Sequence, residues 1–587
     1  MTVPKDAGPG GHAEIREASP RTHVQARLSD GRIFEARPGT PIEGIFRAAF
    51  GTPAVPQVAA IVDGRLRELT YRLVDDAAVH PVSLASADGA RLYRRSLELL
   101  MLVAVDEVFP GAEPRIEHSA TTAAGYYCEV RGREPFTQAE LRRIEQRMHE
   151  IVDMDAPIHR STVPVAEALT LFRELGDHDT ARLVSHRDRG SIVLYSLHGR
   201  RDYFQGYMVP STGYLKYFAL HAFPPGFMLQ FPHTHAPTEL GSIAPYPKLF
   251  AVFEEAGNWL DRLGIRDVGA LNDAIVAGRV DEISLVAEAL HEAGIARIAS
   301  EIAAASPRTR VVLIAGPSSS GKTTFSKRLS IQLLVNGLRP MAIGLDDYFV
   351  DRERTPRDAS GDYDYETIHA LDLERFNRNL GSLIAGRPTT LPKYNFLTGR
   401  SGEGDTVTLG ADAVIVVEGI HGLNPELVSS LPPGIVFRIY VSALTQLNLD
   451  RHNRVSTSDC RLIRRIVRDA ATRGYNATDT LRRWDSVVRG EKRNIFCFQE
   501  NADAIFNSSL VHELSVLRPF AEPLLLQVRP DTPEYLESNR LLSFLQWFRV
   551  MTPDPLPDNS ILREFVGGSI FDRLRRWTSP GSAGPVD

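Results

Sequence analysis

The sequence predicts a multidomain chain of mixed α/β and α+β class, with a doubly wound parallel sheet in its C-terminal half. Three observations carry this. At 587 residues the chain is too long for one core and divides into about three domains. Beyond residue 309, continuous apolar runs alternate with helical stretches, as parallel strands with crossover helices do. Before residue 250, short alternating strands and turns are mixed with single amphipathic helices. The organisation expected is a tail at 1–22, a small unit at 23–87 and a larger one at 88–246. A helical connector at 247–306, the parallel-sheet domain at 307–530 and a C-terminal extension at 531–587 complete it.

Composition is that of a globular protein: 43% hydrophobic, 24% charged, net charge −6. No general nucleic-acid or membrane field follows from it. Three scattered cysteines, Cys128, Cys460 and Cys497, exclude a disulfide scaffold and a cysteine-based zinc cluster and suit a reducing cytoplasm. The first 22 residues lack an apolar core and do not read as a secretory signal. No apolar run reaches the length of a membrane span. The chain is expected to be cytoplasmic.

In the first unit, 23–28 and 32–36 alternate around the turn Ser29-Asp30-Gly31, as a hairpin does. A helix follows at 41–50, then strands near 58–66 and 78–82, in ubiquitin-like proportions. Leu28-Ser29-Asp30-Gly31, Pro38-Gly39-Thr40, Val62-Asp63-Gly64 and Leu73-Val74-Asp75-Asp76 resemble the TGS domain that opens threonyl-tRNA synthetases. The next unit begins with an apolar helix at 88–109, ended by Pro110. A second helix at 138–151 is capped by Thr137 with Glu140 three residues on. With Gly125-Tyr126-Tyr127, this order resembles the second additional domain of those synthetases, which edits mischarged tRNA. The resemblance spans about residues 90 to 232. The family's H-x-x-x-H falls on Arg95 to Leu99 and its C-x-x-x-H region on Gln205 to Ser211, so the reactive groups are replaced. A cluster of His221, His233 and His235 has no carboxylate at metal-ligand spacing before Glu239 and is read as loop histidines. From 247 to 305, apolar residues at 3–4 spacing give the connector.

The parallel-sheet domain opens on an apolar strand, Val311 to Ala315, followed by Gly316-Pro317-Ser318-Ser319-Ser320-Gly321-Lys322-Thr323-Thr324. This fits G-x-x-x-x-G-K-[ST], the P-loop. Its backbone N–H groups surround nucleotide phosphates, Lys322 reaches the β/γ-phosphates and Thr323 ligates Mg²⁺. ATP and Mg²⁺ are therefore the expected cofactors. A second strand ends at Asp346-Asp347, a third at Glu418, and strands near 435–441 and 502–506 complete a P-loop NTPase sheet whose C-terminal edge carries the acidic residues.

Residues 309 to about 530 resemble the uridine kinase and phosphoribulokinase family. That resemblance implies Asp346 as general base, with Asp347 beside it as a substitute base or Mg²⁺ aid, and Glu418 near Mg²⁺ and the acceptor. Lys322 completes the catalytic set. Tyr363 to Asp372 stands where the family binds a ribose diol, placing Tyr365 and Glu366 at the acceptor, and Leu391-Pro392-Lys393-Tyr394-Asn395-Phe396 makes Tyr394 a pocket wall. The family's base-reading His is replaced by Gly399, and His369 stands where the motif has an Asp. Arginines 461, 464, 465 and 468 recur at 3–4 spacing, with Arg473 beyond. The resemblance makes this stretch a lid, with Arg465, Arg468 and Arg473 on ATP phosphates; a solvated face and an RNA-contacting stripe are the other readings. The function expected is phosphorylation of a nucleoside or related ribose hydroxyl. The alternatives are a sugar or sugar-phosphate kinase, or an RNA-associated regulator using the P-loop as a switch. Expected partners are a nucleoside or pentose acceptor, with RNA or tRNA contact through the front units and homo-oligomer formation left open.

Overall fold

The computed structural model describes residues 22–573 apart from 121–124, 307, 358–360, 362 and 433. The expected tail at 1–22 lies outside the described residues, save Thr22, as does the end of the C-terminal extension, 574–587. Among the described residues, no helix is long and apolar enough to cross a membrane.

The first sheet has the order Ile33–Ala36, Val24–Leu28, Ala77–Ser83, Gln57–Val62, Arg65–Glu68. Only its first and last long strands, Val24–Leu28 and Ala77–Ser83, run parallel. Alternate residues of Val24–Leu28 are buried, and helix Ile42–Phe50 closes that face with Ile42, Ile45 and Phe46. Asp63 and Gly64 both take positive φ, which a two-residue hairpin turn requires.

The second unit packs the apolar helix Ala87–Val108 and helix Gln138–Asp153 against an antiparallel sheet ordered Ala219–Phe223, Gly226–Gln230, Gly125–Arg131, Glu113–Ala120. The capping box read from the sequence is present: Glu140 N donates to Thr137 Oγ1, and Thr137 N donates to Glu140 Oε2 at 2.8 Å. A three-stranded sheet, His159–Pro164, Ser191–Leu197 and Arg200–Asp202, completes the unit.

The C-terminal sheet is parallel throughout, ordered Arg339–Gly344, Ala413–Glu418, Val311–Ala315, Val436–Ser442, Ala504–Asn507. All five strands coincide with the predicted runs. Val311–Ala315 is buried at every position because helices cover both faces. Gly316 then has no room for a side chain: a Cβ there would stand 1.9 Å from Val441 O.

The connector consists of helices Pro247–Leu263, Val268–Val276 and Val280–Ala304. The last lies along Lys322–Val335, where buried Arg328 forks to Glu288 at 2.9 Å and Glu292 at 2.8 Å. The front half also grips the C-terminal domain directly. The stretch between strand Val436–Ser442 and helix Thr457–Thr472 is held by Asn448 Nδ2 donating to Ile116 O, Ile116 N donating to Arg451 O and Val268 N donating to Asn448 O. Asn453 accepts from Gln205 N at 2.8 Å and donates to Tyr203 O at 3.0 Å. Beyond helix Tyr535–Leu545, residues 553–573 turn back onto the phosphate loop.

Asn453→Ala leaves the Gln205 N–H and the Tyr203 carbonyl without buried partners. The expected loss is about 2–4 kcal/mol, read as a lowered urea midpoint of the full chain.

Candidate functional site

The turn after Val311–Ala315 is shaped by Ser319 at φ 58° and Gly321 at φ 82°, after which helix Lys322–Val335 begins. Lys322 Nζ donates back to Pro317 O at 3.1 Å, curling its side chain over the loop. Thr323 Oγ1 donates to Glu418 Oε1 at 2.8 Å, so the hydroxyl and carboxylate expected around a cation meet in space. The register explains this: Ile314, Gly344 and Glu418 stand level across three neighbouring strands. Thr323 and Glu418 thus fit a divalent cation as donors, with Asp346 close by.

Asp346 lies in a short 3₁₀ turn, Leu345–Tyr348, at the end of the adjoining strand. Its side chain is open to the cleft yet walled by protein. That surrounding raises its carboxyl above the ordinary value, against the lowering effect of Lys322. Burial also raises Glu418 and lowers Lys322, and each of this pair offsets the shift in the other. Asp347 faces elsewhere, in an ion pair with Lys393 at 3.4 Å.

An aromatic cluster is built around Phe349, three residues beyond Asp346. Phe349 meets Tyr365 and Tyr394 edge-on at 5.7 Å and 5.6 Å, and Tyr394 meets Phe396 at 5.0 Å. The Tyr394 hydroxyl is buried without a hydrogen-bond partner among the described residues. Glu366 lies under the lid helix Ala477–Asn494, against Gly490, where a Cβ would come within 2.7 Å of it. Burial first, and the charge of Glu491 second, push the Glu366 carboxyl up to about 7. Gly399, at φ 71°, is covered by Arg352, whose Nε would stand 2.7 Å from an added Cβ. The place of the missing base-reading side chain is therefore filled by a guanidinium. His369 stays out, exposed and 3.7 Å from Glu426.

The lid arginines divide into two sets. Arg461 and Arg464 are fully buried, the first in a fork to Glu491 at 2.6 and 2.8 Å, the second ion-paired with Glu513. Arg465, Arg468 and Arg473 gather around Asp469 and face the cleft: Arg465 donates to Ser318 Oγ at 2.8 Å, and Arg473 acts on Asp346.

Two carboxylates that the sequence reading missed hold the phosphate loop. Glu491 Oε1 accepts from Ser318 N at 2.7 Å. Glu564 Oε2 accepts from Thr324 N at 3.2 Å and Thr324 Oγ1 at 2.9 Å. No local pattern marks either, because the pairs are separated by 173 and 240 residues.

In the front half, the positions of the synthetase editing groups do meet. Arg95 Nη1 donates to Tyr207 O at 2.6 Å and its guanidinium lies against Gly206, while Leu99 is wholly buried. An arginine and apolar groups fill that place. His233 stacks on His235, but His221 is bonded to Gln230. The one carboxylate–histidine group at metal-ligand spacing among the described residues is Asp177, Asp202 and His452, and it is already braced by Arg451 and Arg200.

This geometry is that of a nucleotide-handling P-loop domain with an acidic cleft and a lid, and the comparisons agree in class. Residues 311–515 match the model of the phosphoribulokinase/uridine kinase family. The N-terminal region is homologous to threonyl-tRNA synthetases. Threonine–tRNA ligase of Methylococcus capsulatus is 36% identical over 164 residues, which are 28% of this chain and 25% of that protein. That of Acidovorax sp. (strain JS42) is 33% identical over 199 residues, 34% of this chain and 31% of that protein. The chain thus spans about a quarter to a third of the length of the curated relatives it matches. Among solved structures, D-glycerate 3-kinase from Cryptococcus neoformans aligns at 15% identity over 40% of this chain and 78% of that one, with a TM-score of 0.17. At that score the likeness carries no argument.

Arg461→Leu leaves the Glu491 carboxylate buried without its cation. A loss of about 3–5 kcal/mol is expected, visible as a depressed transition by calorimetry.

Proposed function

We propose that the C-terminal domain is an ATP- and Mg²⁺-dependent kinase that phosphorylates a hydroxyl of a nucleoside or related ribose-containing small molecule. The observation that carries this reading is the convergence of Lys322, Thr323, Glu418 and Asp346 on one cleft, near the Phe349–Tyr365–Tyr394 cluster. Phosphoryl transfer asks a protein mainly for positioning, charge neutralisation and a base. Lys322 and the arginines Arg465, Arg468 and Arg473 face the donor phosphates; Thr323 and Glu418 would hold Mg²⁺. The cation, when bound, neutralises charge developing on the β- and γ-oxygens. Asp346 accepts the proton of the acceptor hydroxyl as its oxygen bonds to the γ-phosphorus and the bond to the bridging oxygen breaks, leaving ADP. Glu366 and the aromatic cluster position the acceptor, while Asp347 is held away in its ion pair with Lys393.

The guanidinium of Arg352 over Gly399 favours a second reading within the same chemistry, an acceptor carrying a phosphate or carboxylate, such as a sugar phosphate. ADP release across a panel of nucleosides, pentoses and pentose phosphates separates the two. For the front units we propose a TGS-like domain and a synthetase-like domain that contact tRNA-like RNA without hydrolysing an ester, because no His or Cys stands at the former reactive positions. The cytoplasm suits the three unpaired cysteines.

Asp346→Asn is expected to lower kcat by about 10²-fold or more with little change in ATP affinity; acceptor-dependent turnover at wild-type rate in this variant would remove the assigned base. The acceptor KM is expected to fall as pH rises through about 7, because Glu366 becomes a pure hydrogen-bond acceptor only when ionised. Glu366→Gln should flatten that profile in steady-state kinetics.

A further inference from the structure

The C-terminal segment Ser560 to Val566 reaches the phosphate loop by a fixed route. Ile561, Leu562 and Phe565 are buried, at 0%, 0% and 1% exposure, although they belong to no long helix or sheet. Ile561 lies directly on Gly321, since a Cβ added there would stand 2.6 Å from its Cγ2. Arg563 donates to Pro553 O at 3.1 Å and Leu556 O at 2.7 Å, closing the segment on itself. The Arg464 guanidinium packs over Phe565, 5.2 Å from the ring centroid, and Lys327 Nζ donates to Phe571 O at 3.4 Å. So folded, the segment presents Glu564 to the amide and hydroxyl of Thr324.

Thr324 lies in the first turn of the P-loop helix, where free N–H groups and the helix dipole attract an anion. A carboxylate on these donors stands where a nucleotide phosphate would be held. Glu491 and Glu564 differ in one decisive respect. The Glu491 carboxylate is tied at both oxygens to Arg461 and fastens the loop as structure. Glu564 has no Lys, Arg or His within ion-pair distance among the described residues; Thr324 alone holds its carboxylate by hydrogen bonds. An anion bound only by phosphate-site donors is the one that a phosphate can displace.

We propose that the segment Ser560 to Val566 is an autoinhibitory plug, in which Glu564 imitates a nucleotide phosphate on Thr324 and Ile561 covers Gly321. The proposal rests on the kinase reading above. Nucleotide binding expels the Glu564 carboxylate, because two anions cannot share the Thr324 donors, and Ile561 leaves the loop with it. Apparent ATP affinity is then reduced by the cost of opening the plug. Whatever holds the segment away from the loop activates the enzyme.

The test uses the full chain. Affinity for ATP is measured by calorimetric titration in the wild type, Glu564→Gln, Glu564→Ala and Lys322→Ala, each checked for an unchanged circular dichroism spectrum. Hydrogen–deuterium exchange of peptides covering 553–573 is followed with and without saturating ATP. The expected result is affinity on the order of tenfold tighter in Glu564→Ala, with a smaller gain in Glu564→Gln and faster exchange in 560–566 when the wild type binds ATP. Wild-type binding with no gain in either variant and no change in exchange overturns the plug and leaves the kinase reading intact. If ATP binds to neither the wild type nor the Glu564 variants, the kinase reading itself fails, and the plug with it.

Discussion

A strand that ends at Ala315 and a helix that begins at Lys322 create a run of backbone N–H groups that helix geometry cannot satisfy. That constraint organises the C-terminal half. The turn is forced tight because Gly316 lies against Val441, and its N–H groups find acceptors from outside the loop, Glu491 for Ser318 and Glu564 for Thr324. Acidic groups then gather at the same edge: Glu418 through strand register, Asp346 through the short turn after its strand, Glu491 from the lid and Glu564 from the far end of the chain. Each meets a donor or cation belonging to the loop or its helix. The pattern is one of donor satisfaction, with each acid meeting a different group of the loop or its helix.

The lid makes the same point about charge. A run of arginines at helical spacing looks uniform, but burial separates it. Arg461 and Arg464 have left water and are matched by Glu491 and Glu513, so their charges are consumed in holding the lid against the loop and the adjoining helix. Arg465, Arg468 and Arg473 converge on one carboxylate, Asp469, and three cations around one anion leave positive charge directed at the cleft. Spacing alone identifies the face; only its neighbours tell which arginines remain uncommitted.

The parallel strands were legible because residues buried on both faces give unbroken apolar runs, and Thr137 with Glu140 was legible because a capping box is local. The positions of the P-loop, Asp346 and Glu418 at the ends of those strands were readable for the same reason; the roles proposed for Asp346 and Glu418 rest on the family resemblance. Glu491 and Glu564 were not, since their partners lie far off in sequence and a single glutamate on a helix carries no mark of what it will meet. Arg352 over Gly399 illustrates a subtler limit. The missing side chain was visible, but the group that moved into its place comes from a different loop. The Asp177–Asp202–His452 group joins the front unit to the lid approach and was likewise invisible in either part alone.

The join between the halves bears on how the lid can move. Asn448, Arg451 and Asn453 fasten the stretch before helix Thr457–Thr472 to strands and loops of the synthetase-like unit, and His452 lies 3.2 Å from Asp202. The near end of the lid is therefore anchored to the front half, with buried polar groups on both sides that would lose their partners if it shifted. The far side is different. Helix Thr457–Thr472 gives way to Ala477–Asn494 through Gly474 at φ 67°, a short exposed connection. Arg473 stands at that connection, and its charge acts on Asp346 at the end of the neighbouring strand.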